Sequence, residues 1–118
     1  MGVLKKEVST SLNNRNYKLK TRFYRNSLKE VKDAFEKICI EENRSLRQAD
    51  ESEGKMYIST QEYEVFIKVT SDSPVESAID LTVSYFNGSF FKNPRKIIYS
   101  LYKKLDLLLI FKGTVNTR

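Results

Sequence analysis

The chain has 118 residues, 31% charged and 40% hydrophobic, an ordinary globular balance that is long enough for one core and too short for two. It has no histidine and a single cysteine, which excludes an internal disulfide, structural zinc, and the usual acid–base group and metal ligand at neutral pH. No apolar run reaches bilayer-spanning length and no charged-then-apolar leader opens the chain. Lys6 stands where a myristoylation motif requires Ser or Thr, so the expected location is the cytoplasm.

The net charge of +6 is unevenly spread. Residues 15–37 hold eight basic and three acidic side chains, residues 41–80 hold four basic and ten acidic, and residues 92–118 hold seven basic and one acidic. Basic flanks around an acidic middle bear on partners more than on fold.

Residues 1–16 lack a sustained period and read as a flexible arm or a loosely held first strand, ahead of a single domain over 17–113 and a tail at 114–118. Tyr17 to Tyr24 alternates, which predicts a half-buried strand with Tyr17, Leu19, Thr21 and Phe23 inward and Lys18, Lys20 and Arg22 outward. Ser27 and Glu30 form a capping box that opens a helix with Leu28, Val31, Phe35, Ile38 and Cys39 on its apolar stripe; Asn43 suits the left-handed residue that closes it.

Four strands follow as a meander, over Ser45–Asp50, Lys55–Thr60, Glu62–Thr70 and Ser77–Phe86, with an Asn87-Gly88 turn after the last. Lys92 to Gly113 then carries the longest helical period, with Asn93 as N-cap, Pro94 at the first helical position and Gly113 as the stop. The order β-α-β-β-β-β-α predicts an α+β fold, a two-layer sandwich. Its one antiparallel sheet has strand order 1-5-4-3-2, and both helices pack on one face. That order brings the basic first strand beside the basic helix start and sets the acidic turn opposite, a bipolar domain.

The residues argue against catalysis. Cys39 falls on an apolar stripe with nothing polar to generate a thiolate. A calcium loop at Asp50 fails because Gly54 comes one place early and Gln61 replaces the chelating glutamate. The four glycines are isolated, so no phosphate-binding loop or nucleophile elbow exists. No cofactor and no metal partner is implied.

Three non-enzymatic readings remain. The first is an interaction domain that binds another protein or itself, because Leu107, Ile110 and Phe111 belong to a run that is apolar on every side of its helix. The second is an anionic-surface binder for nucleic acid or acidic membrane, using Lys18, Lys20, Arg22 and Arg25 with Lys92, Arg95 and Lys96, and with Tyr24 and Phe91 for stacking or insertion. The third is a small apolar-ligand pocket between sheet and last helix, lined by Tyr57, Tyr63, Tyr85, Phe90 and Tyr102.

Overall fold

Alternation of apolar and polar residues builds most of the sheet. In the computed structural model, which describes residues 6–50, 54–87 and 92–115, Met56, Ile58, Val65, Ile67, Val69, Ile79, Leu81 and Val83 are all buried while the residues between them are not. Period two in sequence therefore becomes two faces in space.

The elements are β1 (Lys6–Ser9), β2 (Arg22–Tyr24), α1 (Leu28–Glu41), β3 (Ser45–Asp50), β4 (Lys55–Ser59), β5 (Tyr63–Ser73), β6 (Glu76–Tyr85), α2 (Pro94–Leu108) and β7 (Phe111–Gly113). They form a mixed fold of two helices and one antiparallel sheet of seven strands. The main path runs β3-β4-β5-β6-β2-β7, and β1 pairs with β6 beside β2. Val31, Phe35 and Ile38 of α1 and Ile98, Leu101 and Leu105 of α2 share a single cluster with the buried sheet residues. No helix among the described residues is long and apolar enough to cross a membrane.

The capping box of α1 is formed on both sides, with Glu30 N–H donating to Ser27 Oγ at 3.1 Å and Ser27 N–H donating to Glu30 Oε1 at 2.9 Å. The hydrogen bond from the Ser27 backbone holds the Glu30 carboxyl below its usual range. Asn43 takes a φ of 57°, as its place after the helix requires. Gly54 has a φ of 69°, and a Cβ there would lie 2.6 Å from the Val69 carbonyl oxygen, so only glycine fits.

The segment read as a flexible arm or a loosely held first strand contains β1, whose register runs from Lys6 opposite Tyr85 to Ser9 opposite Thr82. Other expectations need correction. The strand expected over Tyr17–Tyr24 is replaced by a 3-10 turn at Tyr17–Leu19, capped by Asn16, and a strand of three residues. Tyr17 is consequently 60% exposed, while Lys20 and Arg22, expected outward, are buried.

Chain geometry explains the change. β1 covers residues 82–85 of β6 and β2 covers 77–79, so residues 11–20 form an excursion from one interrupted strand. Its two ends are closed by threonines, because Thr10 and Thr21 hydroxyls both donate to Asp80 Oδ1, at 2.7 and 2.6 Å.

The last helix stops at Leu108 instead of reaching Gly113. Leu109 turns extended and Phe111–Gly113 returns as the sheet edge against β2. The expected turn at Asn87-Gly88 and the side chains of Phe90 and Phe91 fall at or beyond the limit of the described residues.

Candidate interaction site

The end of α2 is held by a polar latch. Arg22 Nη2 donates to Asp106 Oδ2 at 2.6 Å, Tyr24 Oη donates to Asp106 Oδ1 at 2.7 Å, and Arg22 Nε donates to Tyr24 Oη at 3.2 Å. The guanidinium also lies 3.8 Å from the Phe111 ring centroid and 5.2 Å from that of Tyr102. Burial opposes the Arg22 charge, but the hydrogen bonds to Asp106 and Tyr24 outweigh it and raise its pKa. Burial, with the Asp106 hydrogen bond adding to it, pushes the Tyr24 phenol well above its ordinary range.

Just beyond the latch, the Ile110 peptide is clamped at both ends. Its N–H donates to Asn26 Oδ1 at 2.7 Å, and its carbonyl accepts from Arg25 N–H at 2.8 Å. Asn26 is fixed in turn by its own carbonyl, which accepts from Ser77 Oγ at 2.8 Å. Leu109 points inward and is buried, and Phe111 packs tilted against Tyr24 with ring centroids 5.7 Å apart. The side chains that remain outside are Leu107, 82% exposed, and Ile110, 60% exposed, with Leu108 beside them. Of the three candidates for an interaction surface, Leu107 and Ile110 face water and Phe111 is largely spent on the latch.

The seven candidate anion-binding cations do not form one patch. Lys18, in the 3-10 turn, lies 5.4 Å from the Tyr99 ring, one helical turn from Arg95. Lys96 is exposed on the same first turns of α2. Arg22 and Arg25 sit at the other end of that helix, roughly 16 Å away on helical rise between positions 95 and 106. Lys20 Nζ is engaged with the Val115 carbonyl at 2.8 Å, Arg22 is neutralised by Asp106, and Lys92 is paired with Glu62.

The bipolar charge map also dissolves in three dimensions. Lys92 pairs with Glu62, Lys104 with Glu42 and Lys112 with Glu76, so the basic C-terminal segment is stitched to the acidic middle of the chain. Segregation along the sequence becomes pairing across the fold.

The aromatic set proposed for a ligand pocket is divided as well. Tyr63, Tyr85 and Tyr102 are buried, whereas Tyr57 lies between buried Met56 and Ile58 on the opposite face of β4. A cavity between Cys39, Ile58, Tyr63, Val65, Ile97 and Leu101, lined also by Glu42, Arg44 and Ser100, has a volume of about 60 Å³. Small-ligand sites usually run to roughly 300–1,000 Å³. Burial, with the Glu42 charge adding to it, raises the pKa of the Cys39 thiol, the reverse of what a nucleophile needs.

Comparison with known proteins found no matching family model, no matching curated protein and no matching solved structure.

The latch and the clamp were hidden in the sequence because Asp106 reads as an ordinary wet-face residue of α2. The one available signal was the lone carboxylate in a segment with seven basic residues.

Proposed function

We propose that this chain is a non-enzymatic interaction domain that binds another protein, a second copy included, through the apolar corner formed by Leu107 and Ile110. The observation that carries this reading is the Ile110 clamp, which fixes the backbone under two exposed aliphatic side chains. A surface that is already ordered loses little conformational entropy when it is covered. The reading takes the sheet as one layer and both helices as the other, in the order 1-5-4-3-2 for the five strands expected from sequence, so that the corner stands at a free end of the helical layer.

Magnitudes decide what kind of partner fits. Burying one Leu and one Ile contributes roughly 3–6 kcal/mol, while association costs about 4–15 kcal/mol in lost freedom. The aliphatic pair therefore needs help from charge. Exposed Arg25 adjoins Ile110 and exposed Lys103 lies one turn before Leu107, so the fitting partner surface combines apolar and acidic groups. A second copy would offer this through carboxylates of residues 41–80 that stand outside the pairs with Lys92, Lys104 and Lys112, such as exposed Glu41. A contact of the corner with itself would set like charges face to face.

Sedimentation equilibrium across a concentration series, at low and moderate salt, tests this. The expected result is weak association that falls with salt and disappears in Leu107→Gln/Ile110→Thr. A wild-type chain that stays monomeric at every concentration and both salts would remove self-binding.

A second reading, binding of this chain to the anionic surface of nucleic acid or of lipid headgroups, is favoured by one observation. The excursion over residues 11–20 is held against α2 through Lys18 and Tyr99, which brings Lys18 toward Arg95 and Lys96. Retention of the chain on acidic liposomes at low salt, lost in Lys18→Glu/Arg95→Glu, would support it. No retention on acidic liposomes and none of single-stranded nucleic acid would dismiss it.

A further inference from the structure

The turn that carries the chain from α2 into β7 has no residue suited to making it. Along α2 the partners advance with β2: Tyr102 lies against Arg22, Asp106 meets Arg22 and Tyr24, and Ile110 meets Asn26. β7 then runs the other way, with Phe111 opposite Tyr24 and Gly113 opposite Phe23. The reversal is made by Leu109 and Ile110, which lie between the last helical residue and the first strand residue. Turns are ordinarily made by Gly, Pro, Asn, Asp or Ser. Nor does α2 have a glycine, an asparagine or a basic last turn to stop it at Leu108.

What holds the reversal is the seat of β7. The Ile110 peptide joins Asn26 and Arg25, Phe111 lies against Tyr24 and Arg22, Lys112 pairs with Glu76, and the Val115 carbonyl accepts from Lys20. None of these partners belongs to α2, and among the described residues β7 pairs with no strand other than β2. A second copy offers the same partners, so the strand can leave its own β2 and keep every one of these contacts. A short connection that must reverse favours such an exchange, because in the exchanged form the hinge runs straight.

We propose that β7 is an exchangeable strand: it seats on β2 of a second copy, whose own β7 seats on β2 of the first. Each Arg22 then stays bonded to Asp106 of its own chain and lies against Phe111 of the other, so both copies build the latch. Leu109 continues α2 instead of breaking it. Release of β7 into water is disfavoured, because it would bare Phe111, Tyr24 and the edge of β2. The exchange uses the Ile110 peptide and not the Leu107 and Ile110 side chains, so it does not rest on the corner.

Refolding from urea at high and at low concentration, then dilution and size-exclusion chromatography with light scattering, tests the proposal. High concentration is expected to yield a dimer that survives dilution, since parting requires β7 to leave its seat; low concentration should yield monomer. Leu107→Gln, which thins the corner, should leave that dimer unchanged. A glycine pair inserted between Leu109 and Ile110 lets the strand fold back and should return the chain to monomer. Glu76→Lys and Lys112→Glu each break the Lys112–Glu76 pair within one chain, but an exchanged heterodimer of the two restores it twice. Co-refolding them should give about five-fold more dimer than either variant alone. The charge pair leaves the hinge untouched and decides the matter if the insertion fails to fold. A chain that is monomeric however it is refolded overturns the proposal. So does a dimer that parts at once on dilution, one that the inserted glycines leave undiminished, or a co-refolded mixture with no more dimer than its components.

Discussion

Asp106 near the end of α2 and Arg22 in β2 meet at 2.6 Å across 84 residues of chain, with the arginine almost wholly buried and the carboxylate about one-third exposed. Tyr24 donates to the same carboxylate, so one acid satisfies two buried donors. Asp106→Ala leaves both without it. Removing one partner of a buried pair costs roughly 3–5 kcal/mol; screening at the exposed carboxylate lowers the expectation here to about 1–3 kcal/mol. Urea denaturation checks this, and Arg22→Met/Asp106→Leu should recover much of the loss because the unpaired charge is gone.

Alkaline pH should weaken this latch. Tyr24 is raised by burial and the Asp106 hydrogen bond, and Tyr102 by burial with the Asp80 charge adding to it. Both phenols titrate higher folded than unfolded. The stability they contribute is fully present below about pH 10 and is lost as pH climbs from there toward their folded values. Tyr24→Phe should flatten that decline, read as the pH dependence of the thermal midpoint between neutral and strongly alkaline buffer. An equally steep decline in the variant would mean that Tyr24 is not responsible.

Gly54→Ala should destabilise the β4–β5 pairing by about 2–4 kcal/mol, since it combines a strained positive φ with a clash. The new methyl would lie 2.6 Å from Val69 O and 3.1 Å from Leu28 Cδ1, a backbone atom and a packed side chain. Guanidinium unfolding of the variant measures it.

Asn26→Ala removes the acceptor of the Ile110 N–H and should cost about 1–3 kcal/mol. Hydrogen exchange should rise at the Ile110 amide well before it rises in the middle of β5 and β6. Protection at Ile110 that matches the wild type would show that the clamp does not depend on Asn26.

The sheet was legible wherever alternation met a buried face. Met56, Ile58, Val65, Ile67, Ile79, Leu81 and Val83 announce their strands and their direction together. The capping box at Ser27 and Glu30 likewise fixed the start of α1 by local chemistry alone.

What escaped was non-local. Tyr17 to Tyr24 alternates as well as any strand, yet Asn16 caps a 3-10 turn there and Thr10, Thr21 and Asp80 close the excursion, contacts that span up to 70 residues. The end of α2 misled for the same reason. Helical period continues through Leu109, but Asn26 and Arg25 capture the Ile110 peptide and turn the chain back into the sheet. Of the surface residues, Leu107 and Ile110 were visible as excess hydrophobicity, while charge runs concealed the pairing of Lys92, Lys104 and Lys112 with distant carboxylates.

The interaction corner is tested most directly by methyl NMR of a leucine- and isoleucine-labelled sample through a dilution series at low salt. If the corner meets a second copy, the Leu107 and Ile110 methyl resonances move with concentration while those of buried Ile98 and Leu105 stay fixed. Leu107 and Ile110 methyls that hold their positions from the most dilute to the most concentrated sample would contradict it.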